Sequence, residues 1–293
     1  MKILITGSNG LLGQKIVRQL KKNKIDFLAT SKGDNRNPDC DQSNYCSMDI
    51  CSEADIAKVF ADYLPTHVIH TAAITNVDAC ELNPADCYET NVLATQKLFN
   101  QAKEMGAHFQ LLSTDFIFDG EKGNYKEDDQ PNPLSVYAKS KVDAEQFLLN
   151  DQYKNYSIVR TIIVYGVANN LSRTNIVCWA KEALSKGQEM RIIDDQFRAP
   201  TWADDLAWAC IRICERNKVG IYHISGPETM SIFEVVERVA KYFELSTKTL
   251  VRTDSSTLNQ PAKRPPRTGF DLTKSKNELG YNPKTLEQTL ELI

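Results

Sequence analysis

Residues 2–13 read Lys-Ile-Leu-Ile-Thr-Gly-Ser-Asn-Gly-Leu-Leu-Gly. Residues 3–6 are apolar or β-branched, the composition of a strand buried on both faces, and a helical pattern opens directly behind the glycines. Strand, glycine turn and helix in that order are the context a dinucleotide fingerprint needs. The spacing here is G-x-x-G-x-x-G rather than G-x-G-x-x-G. Gly7 permits the tight turn, Gly10 lets the backbone approach a pyrophosphate, and Gly13 lets the helix pack on the strand. Asn9, Leu11 and Leu12 complete a loop whose helix N–H groups face the anion. The alternative is a plain strand-to-helix turn with no ligand.

Outward from this turn, apolar runs alternate with helical patterns. A helix to about Lys22 is followed by the strand DFLAT, a helix from Glu53 to Tyr63, the strand HVIHTAA and a helix from Pro84 to Met105. The strand HFQLLST, a helix from Tyr137 to Leu149 and the strand YSIVRTIIVYG complete the first half. Such alternation predicts an α/β fold: a Rossmann-type doubly wound parallel sheet of at least five strands. Beyond Asn169 the pattern loosens into a helix from Asn175 to Ser185, the loop IIDDQFRAPTWADD, a helix through Cys214, the strand YHIS and a helix from Ser231 to Phe243. A proline-rich stretch, Pro261 to Pro266, and a helix around Leu286 follow. We therefore expect a cofactor domain over residues 1–168, its sheet open to completion by segments near 190–226, and a smaller substrate-binding lobe over 169–293.

Composition narrows the class. The formal net charge is −3 and charged residues make up 25% of the 293, which gives no basic footprint for nucleic acid. No apolar run of about 18 residues occurs and no charged-then-apolar leader precedes the first strand, so no membrane partner is expected and the protein is read as cytoplasmic. The eight cysteines form no C-x-x-C pair. Free thiols in a reducing compartment are expected, with no metal; Cys210 and Cys214, four apart on a helix, are read as buried small residues.

The second strand bears on the choice of nucleotide. A site for NAD usually presents a carboxylate there to both ribose hydroxyls, whereas this strand ends Thr30-Ser31-Lys32. Ser31 and Lys32 favour a 2′-phosphate, so NADPH is the preferred cofactor and NADH the alternative. Asp49 is a candidate for the adenine edge and Ile50 for its face; the competing reading makes Ser52 a helix N-cap with Asp49 merely nearby.

The chemistry is carried by Tyr137-Ala138-Lys139-Ser140-Lys141, preceded by Ser113-Thr114-Asp115 at a strand end. Helical spacing of four puts Tyr137 and Lys141 on one face, about 6 Å apart along the axis. A lysine cation roughly 5 Å from a phenol, at an effective dielectric of about 20, favours phenolate by about 3 kcal/mol, and is expected to bring the tyrosine toward the range useful for acid–base work. Thr114 is placed to hold the same substrate oxygen. Y-x-x-x-K alone is common by chance; its combination with the glycine turn and a Ser-Thr strand end is not.

Together GSNGLLG, HTAA, STDFIFDG and YAKSK resemble the extended short-chain dehydrogenase/reductases over nearly the whole chain. Thr75 to Glu81, STDFIFDG, DDQFRAPTWADDLA and RPPRTGFDLTKSKNELGY resemble the dTDP-4-dehydrorhamnose reductase family more narrowly. That resemblance implies catalytic Thr114, Tyr137 and Lys141, a cofactor site that includes Ala72, Ala73 and Asn91, and NADPH-dependent reduction of a 4-keto nucleotide sugar. It further implies that Thr75, Val77, Asp78, Asp115, Asp195, Gln196 and Thr201 lie near the sugar. Asn91 would hold a water link to the lysine.

Arg198 departs from the family, which commonly has a small residue there. It is read either as a ligand of the substrate diphosphate, as a mark of another sugar nucleotide, or as a surface side chain. Arg264 and Arg267, on the stiff proline-rich stretch, are candidates for the diphosphate. A homodimer is left open. Two rivals remain: a sugar-nucleotide epimerase or dehydratase, and a non-catalytic NADP-binding regulatory subunit of the kind that binds methionine adenosyltransferase. A dehydratase needs an acidic pair after the threonine, and only Asp115 is present.

Overall fold

The structure, a computed structural model, describes residues 1–293. Its strands are β1 (Lys2–Thr6), β2 (Asp26–Ser31), β3 (Tyr45–Ser47), β4 (His67–His70), β5 (His108–Thr114), β6 (Tyr156–Thr161), β7 (Val164–Tyr165), β8 (Met190–Ile193), β9 (Phe197–Arg198), β10 (Thr201–Trp202), β11 (Gly220–Ile224), β12 (Met230–Ser231) and β13 (Leu250–Thr253). The helices are α1 (Leu11–Lys22), α2 (Glu53–Tyr63), α3 (Val77–Leu82), α4 (Pro84–Tyr88), α5 (Ala94–Glu104), α6 (Val136–Asn150), α7 (Ile176–Ser185), α8 (Ala203–Glu215), α9 (Ile232–Tyr242), α10 (Thr273–Leu279) and α11 (Leu286–Leu290).

Seven strands form one parallel sheet in the order β11-β6-β5-β4-β1-β2-β3. The order reverses between β1 and β4, and a crevice opens there beyond the strand ends. Alternate residues face opposite sides, so Ile3, Ile5, Ile69, Leu112 and Val159 pack with α1 and α8, while Leu4, Val68, Phe109, Leu111 and Ile158 pack with α2, α5 and α6. A third apolar cluster, including Val177, Leu184, Phe233, Val236, Val239 and Leu286, holds the C-terminal lobe.

β11 comes from 220–224, so the sheet is completed from within the C-terminal half, inside the range 190–226 left open for it. Two features differ from the sequence expectations. The expected long strand through Gly166 breaks after Thr161, because Ile163 takes a positive φ of 27° and the chain turns to pair Val164 with Thr201. The helix expected from Pro84 to Met105 contains a turn of π-helix at Glu89–Leu93. Ser52 accepts from Asp55 N and caps α2, as one reading of that segment had it.

Candidate active site

The glycine turn is shaped by close approach. Gly7 has φ 72°, and a Cβ there would lie 2.8 Å from Ala72 N; a Cβ on Gly13 would collide with the Gly7 carbonyl and Ser8 Cα. Only glycine lets α1 sit this near the turn. The next loop wraps it: Asn9 N donates to Ser31 Oγ (3.1 Å), and Arg36 N donates to Asn9 Oδ1 (2.8 Å). Asn169, bonded both ways to Gln14 at 2.7 and 3.0 Å, starts a segment that crosses the far side.

Between these walls lies a cleft of about 600 Å³. Of the expected cofactor residues it is lined by Gly7, Asn9, Gly10, Leu11, Leu12, Ala73, Tyr137 and Lys141, and of the expected substrate residues by Thr75, Val77 and Asp115. Thr114 also lines it, so the three candidate catalytic side chains share one cavity with the glycine turn. The turn's open backbone and the cleft's size suit a dinucleotide. Ser113 Oγ, buried on this wall without a hydrogen-bond partner, leaves a polar atom free for a ligand.

Tyr137, Lys141 and Thr114 are 8%, 4% and 7% exposed. Ser135 caps α6 by accepting from Ala138 N, fixing where the Tyr137 turn begins. Burial pushes the Tyr137 phenol well up, against the pull of Thr114, and it brings Lys141 down to about 8, with Glu145 holding the lysine up. The expected lowering of Tyr137 by Lys141 is thus not met: desolvation dominates, and the tyrosine is a neutral phenol at neutral pH. Asn91 is 1% exposed; its Oδ1 accepts from Ile74 N (2.8 Å) and its Nδ2 donates to Ile74 O (3.0 Å) and Ser140 Oγ (3.1 Å), while Ser140 Oγ donates to Tyr137 O (2.7 Å). Asn91 therefore braces the floor under Tyr137 and does not line the cleft.

Other expected residues lie away from the cavity wall. Lys32 is largely exposed and pairs with Asp49 at 2.7 Å, so its charge is already met. Ser31 holds the glycine turn, Ile50 packs with Met48 in the core, and Ala72 N reaches Thr6 Oγ1. Thr201, fully buried, is bonded through Oγ1 to Ile162 O at 2.5 Å, and Gln196 is also buried. Asp195 accepts from Ser255 on an exposed loop. Arg264 pairs with Asp78 at 2.7 Å, and Arg267 lies over the Phe197 ring. Arg198 is 1% exposed, which corrects the surface reading; its guanidinium donates to Phe197 O, Pro265 O and Pro266 O, so it is not free for a diphosphate either. Two cations missed in the sequence line the cleft instead: Arg36 after β2 and Arg173 before α7. Each is a lone basic residue in a polar loop, and only the folded chain shows where it points.

Comparison with known proteins settles the family. The family described as "RmlD substrate binding domain" matches residues 1–293. The chain belongs to that family. A dTDP-4-dehydrorhamnose reductase of Aggregatibacter actinomycetemcomitans is 30% identical, with 100% of this chain and 98% of that protein covered. The methionine adenosyltransferase 2 subunit beta of Xenopus laevis is 29% identical over 85% of this chain and 74% of its own. Among solved structures, a Bacillus anthracis dTDP-4-dehydrorhamnose reductase in complex with NADP superposes with a TM-score of 0.85 at 26% identity, covering 99% of this chain and 97% of that one. The RmlD family member described here thus has the extended short-chain dehydrogenase/reductase fold. No helix is long and apolar enough to cross a membrane.

Proposed function

We propose that this RmlD-family chain is an NAD(P)H-dependent reductase of a 4-keto nucleotide sugar, and that its substrate is dTDP-4-dehydro-L-rhamnose, reduced to dTDP-L-rhamnose. The observation that carries this reading is the convergence of Thr114, Tyr137 and Lys141 on the cavity that the glycine turn opens. Gly7, Asn9, Gly10, Leu11 and Leu12 would hold the pyrophosphate, and Lys141 the ribose. Arg36, facing the same cavity, is the cation we assign to the 2′-phosphate in place of the paired Lys32. When bound, the reduced nicotinamide supplies the hydride that the carbonyl carbon receives.

The chain's own part is orientation and proton supply. A neutral Tyr137 is the species required to protonate the oxygen of a reduced carbonyl, and burial keeps it neutral. Lys141, near 8, is mostly a cation at neutral pH and favours the phenolate left behind. Thr114 fixes the carbonyl beside the phenol, and the partly buried Val77 and the exposed Thr75 give the sugar a mixed apolar and polar wall.

A dehydratase would use the acid after the threonine as a proton donor. Asp115 lines the cleft but is 2% exposed, with Thr114 and Thr268 donating to its two oxygens and Arg198 beside it, so both oxygens are already engaged. The similarity to a methionine adenosyltransferase subunit keeps the regulatory reading as the rival. The deciding experiment follows loss of reduced-nicotinamide absorbance with the 4-keto sugar nucleotide, for wild type and Tyr137→Phe. Turnover abolished by the substitution supports reduction; NADPH binding without turnover of any keto sugar supports the regulatory rival.

A further inference from the structure

Arg198 touches both halves of the catalytic pair through intermediaries. One arm is polar: its Nε lies 3.7 Å from Asp115 Oδ2, Thr268 Oγ1 donates to that same oxygen, and Thr114 Oγ1 donates to Asp115 Oδ1 at 3.1 Å. The other arm is aromatic: the guanidinium carbon lies 5.4 Å from the Phe116 ring centroid, and Phe116 meets Tyr137 edge to face at 6.1 Å.

The remaining guanidinium donors reach Phe197 O at 2.7 Å and Gln196 Oε1 at 3.4 Å within β9 and its approach, and the C-terminal strap, 2.6 Å to Pro265 O and 3.3 Å to Pro266 O. That strap is itself stitched to β9, with Phe197 N donating to Pro266 O at 2.7 Å and Thr268 N to Phe197 O at 3.0 Å. Arg198, Asp115 and Thr268 are 1%, 2% and 0% exposed.

Stability alone does not call for charge here. Burying a guanidinium and a carboxylate costs desolvation that an apolar pair of the same volume avoids, and removing one partner strands the other. What an apolar pair lacks is direction: planar fork geometry aimed at three backbone carbonyls and a carboxylate fixes the position of everything it holds.

We propose that Arg198 is a positioning residue that registers Thr114, through Asp115, and Tyr137, through Phe116, against the strap 265–268. The strap thereby sets the geometry of the reacting pair without touching substrate. The proposal rests on the reductase reading above.

The test is a double-mutant cycle on keto-sugar reduction by the full chain. Arg198→Lys keeps the charge and loses the fork, and is expected to lower kcat on the order of 100-fold, the size of effect that an ångström of misplacement produces, with the NADPH Kd within about twofold of wild type. In a Thr114→Val background the same substitution should lose the share carried by the polar arm and keep the share carried through Phe116, so its cost should fall to about tenfold. Should Arg198→Lys fail to fold, Thr268→Val, which removes one donor to Asp115 at nearly constant volume, enters the same cycle with the same expectation. Equal fold losses in both backgrounds, or a raised NADPH Kd accounting for the loss, overturn the proposal while leaving the reductase reading intact. A folded wild type that binds NADPH and reduces no keto sugar overturns both.

Discussion

The two walls of the cleft are built from different materials. On the glycine-turn side, backbone does the work: Gly7 at positive φ, Gly13 against the Gly7 carbonyl, and helix N–H groups left open at α1. On the strap side, side chains do it, through Arg198, Asp115, Thr268 and the Arg264–Asp78 pair, which bridge segments about 80 to 190 residues apart. Backbone geometry is a local property and tolerates no substitution. A side-chain network is a long-range property, and it adjusts the site without redefining it.

The largest expected effect tests the chemistry that both walls serve. Tyr137→Phe should lower kcat by a factor on the order of 10²–10⁴ with NADPH affinity retained, read by steady-state kinetics and equilibrium titration. The backbone wall breaks next: Gly13→Ala places a Cβ on the Gly7 carbonyl and should cost about 3 kcal/mol of stability together with NADPH binding, read by urea melts and fluorescence titration. If Gly13→Ala is tolerated, the contrast between the walls fails.

Lys141 tests the floor between them. Its folded pKa, brought down by burial from the ordinary lysine value to about 8, means that the folded chain binds fewer protons than the unfolded one between pH 8 and that ordinary value. The charged lysine is therefore a net destabilisation below pH 8, and it fades as pH rises through that window. Lys141→Met should stabilise the ligand-free protein on the order of 3 kcal/mol at pH 7 and little at pH 10.5, while abolishing turnover. In the wild type, kcat/KM should fall as pH rises past about 8.

The smallest effects sharpen the choice of nucleotide. Arg36→Ala should raise the NADPH Kd about tenfold and leave NADH unchanged, whereas Lys32→Ala, exposed and already paired with Asp49, should change either by less than about threefold. Isothermal titration with both nucleotides separates the two; equal effects from both substitutions would return the 2′-phosphate to the strand end.

What could be read in the sequence follows the same division. The strand–turn–helix at residues 2–13 and the Tyr137 and Lys141 spacing are local, and the structure places their side chains in one cavity as the periodicities require. The three-residue β3 was too short and too polar to register, and the π turn at Asn91 inserts one residue into a helix whose apolar pattern reads as continuous. Arg198 was legible as a cation out of place but not as a buried one, because its partners Asp115 and Pro265 lie 83 positions before it and 67 after it. Arg36 and Arg173 stand in loops without periodicity, where the sequence holds no signal for direction.

The origin of the seventh strand bears on how the chain is made. β6 acquires its outer neighbour only from Gly220–Ile224, so a nascent chain that has emerged through residue 168 carries the whole glycine turn and the Tyr137 helix yet leaves β6 as an unpaired edge. At synthesis rates of about 5–20 residues per second, some 50 further residues leave that edge open for several seconds. Translation through the first half of the lobe is thus the interval in which this protein is exposed to sheet-to-sheet association, and a fragment cut at 168 would remain there.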